Sequence, residues 1–78
     1  PLSDVLLVNI GTLQIQQKDF EKSVYCFRKA ISLNPNNDKA WVGLAMSHHE
    51  VGDLELSMAN LKNALDLNPA NRTAVHIY

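Results

Sequence analysis

The side chains able to do chemistry are gathered in three short stretches of this chain. His48-His49-Glu50, with Asp53 close behind, is the cluster suited to metal binding or acid–base work. A metal needs several donors converging on one ion, whereas adjacent helical residues diverge by about 100°. Asp53 reaches back to His49 at i+4, which leaves two ligands; no metal is expected, with His48 read as a core residue and His49 as a groove residue. Cys26 has Arg28 and Lys29 nearby in sequence, but on other helical faces, so an inert thiol is expected. Asn71-Arg72-Thr73 fits the N-glycosylation pattern, and its plainer role is to cap a helix that begins there. Asp19, Glu21, Asp53 and Glu55 fall at helix starts, where negative charge complements the helix dipole. Glycine is too sparse for a phosphate-cradling loop, and no nucleophile–base–orienter set assembles. Neither catalysis nor a cofactor is expected, so the informative property is surface.

Composition narrows the partners of that surface. The chain has 78 residues, 46% of them hydrophobic, and a net charge of −1. That is one small packed domain, residues 1–78, without the basic footprint that nucleic acid or an anionic membrane requires. No apolar run approaches the roughly 20 residues needed to span a bilayer. Cys26 is the single cysteine and cannot close an intrachain disulfide, which favours a reducing, cytoplasmic setting. The chain opens at Pro1 without a methionine and reads as a piece of something longer.

The elements that position these residues follow from a repetition. Ala30-Ile31-Ser32-Leu33-Asn34-Pro35 returns as Ala64-Leu65-Asp66-Leu67-Asn68-Pro69, a period of 34 residues. The same shift lays Asp4 on Asp38, Val8 on Val42 and Asp19 on Asp53. A period of this length marks stacked supersecondary units. Within each unit the apolar spacing is helical: Phe20, Val24, Phe27 and Ile31, then Leu54, Met58, Leu61 and Leu65. Leu7, Ile10 and Gln14, then Trp41, Leu44 and His48, mark the core face of the first helices. Ser3, Asn37 and Asn71 are candidate N-caps, Gly52 suits a left-handed C-terminal cap, and each Asn-Pro stops a helix. The pattern predicts helices over residues 4–17, 20–33, 38–51, 54–67 and 72–78, hence repeats at about 4–37 and 38–71 and the opening of a third. Small residues recur among the large ones, Gly11, Ser23 and Ala30 as Ala45, Ser57 and Ala64, where they let helices approach to about 8–10 Å.

These residues resemble the tetratricopeptide repeat. Unit one supplies Leu7, Ile10, Gly11, Gln14, Ser23, Phe27, Ala30 and Pro35 of its pattern; unit two supplies Trp41, Leu44, Ala45, His48, Ser57, Leu61, Ala64 and Pro69. Two departures stand out: the usual tyrosine is Gln14 or His48, and the usual first alanine is serine in both units. The resemblance implies an all-α, right-handed solenoid of antiparallel helix-turn-helix hairpins. It also implies that the first helices line a concave groove holding a peptide or partner helix, and that such a module binds rather than catalyses.

A second stripe on the first helices, offset by one residue or about 100° from the core stripe, marks that groove independently. It reads Val5, Val8, Thr12 and Ile15, then Lys39, Val42, Met46 and His49, with Thr73 and His76 continuing it. A contiguous apolar surface of this kind marks an interaction site, so the expected function is a scaffold or adaptor binding a protein or peptide. The residues matching the family's carboxylate clamp are Val8, Thr12, Gly43, Thr73 and Ile77; none supplies a charged donor, which argues against acidic heat-shock chaperone tails. Two alternatives stay open. The first helix is apolar nearly all round and could cover itself with a second copy, or the segment could regulate or target a larger enzyme.

Overall fold

A computed structural model describes residues 3–71 and 73. Four helices follow one another, α1 (Asp4–Gln16), α2 (Phe20–Leu33), α3 (Asp38–Glu50) and α4 (Leu54–Leu67), with no strand among the described residues. Helices α1 and α3 stop one residue short of expectation because Gln17 and Val51 serve as their C-caps. The helix expected over residues 72–78 lies outside the described residues, apart from Thr73, which is helical.

Each helix begins on a side-chain oxygen that takes an otherwise orphan backbone N–H. Ser3 Oγ accepts from the Leu6 N–H at 3.1 Å, and Asn37 Oδ1 accepts from Lys39 and Ala40 at 3.1 and 3.3 Å. Asp19 and Asp53, expected as charges beside the dipole, are also caps: they accept from Lys22 and Leu56 at 3.4 and 3.3 Å. The turn inside each hairpin is built twice to one plan. Lys18 donates to the Ile15 carbonyl and Asp19 to that of Gln14, while Gly52 donates to His49 and Asp53 to His48. That pairing is the Schellman arrangement, which needs a left-handed residue just past the cap. Gly52 supplies it at φ +88°, and Lys18 is forced into it at φ +62°.

Helix α1 packs on α2, α3 on α4, and α2 on α3, with a lighter contact between α1 and α3. Phe27 lies at the middle of this arrangement, with no exposed surface. Its ring presses on two glycines at once: a Cβ added to Gly11 would come within 2.8 Å of the ring, and one on Gly43 would overlap it. Buried Leu7, Cys26, Ala30 and Ala40 form one adjoining cluster, and Val42, Ala45, Leu61 and Ala64 a second. Beside the ring, the buried hydroxyls of Ser23 and Ser47 meet at 2.8 Å. Ser23 Oγ also lies 2.7 Å from the Phe20 carbonyl, and Ser47 Oγ 3.1 Å from that of Gly43. Serine at the family's alanine position thus ties α2 to α3 by a hydrogen bond that alanine could not make.

Three substitutions test these contacts. Gly43→Ala should destabilise the fold by about 1–3 kcal/mol in urea denaturation, since overpacking against Phe27 outweighs alanine's gain in helix propensity. Lys18→Gly should stabilise it by up to about 1 kcal/mol by relieving the left-handed residue, and Gly52→Ala should lower stability by a similar amount.

Candidate binding groove

The second stripe faces a channel along the seam of α1 and α3. A central cavity of about 600 Å³ is lined by Val8, Thr12, Ile15, Lys39, Val42 and Met46 of the stripe, and its polar lining includes Asn9, Gln16, Asp38, Asn68, Asn71 and Thr73. It shares Val8 and Lys39 with a cavity of about 370 Å³ that also touches Val5 and Asp4. At the far end it shares Ile15 and Met46 with a cavity of about 230 Å³ reaching His49 and Glu50. All eight stripe residues therefore border one run of adjoining hollows.

They do not sit at equal depth. Val5, Thr12, Lys39 and His49 are exposed, whereas Val8, Ile15 and Met46 are half-buried. Val42 is only 5% exposed and belongs to the core cluster with Ala45, Leu61 and Ala64. It forms the floor of the channel rather than its rim, because α3 is covered by α2 and α4 on two sides while α1 has less company. Asn9 and Gln16 line the channel one residue further round the helix than Val8 and Ile15. The apolar stripe passes over them because they are polar.

An Asp–Asn–Asn clamp borders the channel and recurs at the 34-residue period. Asp4 Oδ2 accepts from Asn34 Nδ2 at 3.1 Å and Asn37 Nδ2 at 2.8 Å. Asp38 Oδ2 accepts from Asn68 Nδ2 at 3.1 Å and from Asn71 Nδ2. The amides favour the ionised carboxylate, so hydrogen bonds from Asn37 and then Asn34 hold Asp4 below its usual 3.8. Asn37 works in both directions, since its oxygen caps α3 while its nitrogen grips the start of α1. The 34-residue period repeats all three members, Asp4 as Asp38, Asn34 as Asn68 and Asn37 as Asn71, but does not say that they meet.

Of the other titratable side chains, Lys22 lies 3.6 Å from Asp19 as an exposed i,i+3 pair. Among the described residues no three His, Cys, Asp or Glu side chains come together as a metal site. His48 is buried and His49 exposed, so the two imidazoles part as their spacing dictates. Cys26 is buried, and desolvation pushes its thiol up, a hydrogen bond from Gln14 opposing it. Burial pushes His48 down, the Arg28 guanidinium adds to that, and Asp53 opposes. No described helix is long and apolar enough to cross a membrane.

With this geometry in place, comparison with known proteins gives the family. Two models described as "Tetratricopeptide repeat" match residues 5–37 and 26–59, in two frames of the same period. The chain belongs to the tetratricopeptide repeat family, whose repeats are protein-interaction modules. It is 28% identical over 65 residues to Superkiller protein 3 of Saccharomyces cerevisiae, a match that covers 83% of this chain and 4% of that protein. It is 32% identical over 63 residues to the Cell division cycle protein 27 homolog of Caenorhabditis elegans, covering 81% and 8%. It is 28% identical over 67 residues to human peptidyl-prolyl cis-trans isomerase FKBP4, covering 86% and 15%. The chain thus spans a small fraction of each of these relatives.

The lowered native pKa of His48 sets a pH dependence. The unfolded chain takes up the proton first, so its contribution to stability is complete above about pH 6.5 and declines as pH falls through the lowered native value. Urea midpoints measured between pH 7.5 and about 5 should fall, and His48→Phe should flatten that slope.

Proposed function

We propose that this protein is a non-catalytic scaffold or adaptor module that binds a protein segment, peptide or helix, along the α1–α3 channel. The carrying observation is the run of three adjoining hollows bordered by all eight residues of the second stripe, of which Val42 alone is a buried core residue. Buried Leu7 and Leu44 serve the core; half-buried Val8 and Met46 pack against it on one side and, with Ile15, line the channel on the other. Met46 adds a flexible, polarisable surface that fits partners of varied shape. Two units, residues 4–37 and 38–71, build the channel, and residues 72–78 open a third. The reading as a binding module, not an enzyme, rests on the repeat family together with the scattering of titratable groups described above.

Self-association is the second reading. Leu6 and Leu13 on α1 are exposed, as are Leu54 and Met58 on α4, so apolar surface is present at both ends of the helix array. Sedimentation over a wide concentration range separates the two readings, and a strict monomer removes this one.

The groove reading is checked with peptides selected for binding from a random display library. Met46→Glu should weaken them at least about tenfold, because it buries a charge in an apolar hollow. Far-UV circular dichroism should stay unchanged. Affinity that survives this substitution would place the partner elsewhere.

A further inference from the structure

The ends of the channel differ electrically. Helices α1 and α3 run in the same direction: the cavity at one end is bordered by Asp4, Val5, Asp38 and Lys39, and that at the other by Ile15, His49 and Glu50. Two helix C-termini therefore converge at the far end, each equivalent to about half a negative charge. Glu50 is exposed there and forms no ion pair among the described residues. Among the described residues no Lys or Arg borders that cavity. At the opposite end two helix N-termini and Lys39 face Asp4 and Asp38, whose carboxylates already accept asparagine amides. Side-chain charge does not separate the ends, since Asp4 and Asp38 against Lys39 leave −1 at one and Glu50 leaves −1 at the other; the difference lies in the helix termini, positive beside the amide-bound carboxylates and negative beside Glu50.

We propose, resting on the groove reading above, that the occupant is a peptide segment of apolar side chains ending in one or two Lys or Arg residues, its basic end over Ile15, Met46 and Glu50. The apolar stretch fills the hollow above Val42 and against Val8 and Met46. The exposed amides of Asn9 and Gln16 meet the peptide backbone. The cationic end replaces water around Glu50 and the two carbonyl-bearing helix ends, a charge-assisted contact of the favourable kind. The same field disfavours an acidic end.

The test uses the 78-residue protein and three labelled peptides with the common core Leu-Val-Leu-Val-Leu, ending in two lysines, two glutamines or two glutamates. Fluorescence anisotropy at low salt should rank them lysine, glutamine, glutamate, with about fivefold or more between the extremes and the gap closing in high salt. Glu50→Lys should remove most of that preference while leaving the glutamine-ended peptide within about twofold. Equal affinity for all three, with Met46→Glu still abolishing binding, overturns this proposal and leaves the groove standing. Binding that survives Met46→Glu overturns the groove itself. Concentration-dependent dimerisation that Met46→Glu relieves, with no peptide bound, assigns the channel to a second copy and overturns the proposal as well.

Discussion

The contact of one phenylalanine with two glycines governs the geometry of this protein. Phe27 lies on α2, while Gly11 and Gly43 lie on α1 and α3, and the ring has no solvent exposure. Its width sets how far apart those helices stand, and the absence of side chains on both glycines sets how near they come. The channel between α1 and α3 is a consequence. Both helices rest on the same aromatic plate, so their remaining faces are held side by side at a spacing neither chooses alone. The Ser23–Ser47 hydroxyl contact then fixes the longitudinal register of α2 against α3 beside that plate.

Most of this is visible in the residues, and the exceptions have physical causes. Period, helix faces and stop signals are local properties, so four helices fall within one residue of their expected ends. Depth is not local. Val8 and Val42 occupy the same place in the repeat, yet one is half-buried and the other buried, because only the second belongs to a helix packed on both sides. Lys18 shows a different limit: it adopts the left-handed turn that Gly52 adopts freely, and nothing in a lysine announces it. The shared Schellman hydrogen bonds compel the conformation. Gly43 looks like an indifferent residue in a helix until the Phe27 ring is placed against it.

Of the channel, the apolar stripe is legible and its polar margin is not. Alternation around a helix identifies Val8, Ile15 and Met46 because they break the expected polarity of a surface. Asn9, Gln16 and Glu50 conform to that expectation and therefore carry no signal until cavities are drawn. The electrical difference between the channel's ends has the same origin. It arises from two helices pointing one way, an arrangement that follows from an intervening antiparallel helix and not from any motif.

The position of the asparagine clamp has a mechanical consequence. Asn37 joins the beginnings of α1 and α3 through Asp4, whereas the described residues place only side chains such as Ile15 and Met46 between the other ends. A guest therefore meets a bolted doorway at one end and a softer threshold at the other, where long side chains rather than a carboxylate and its amides must part to admit it.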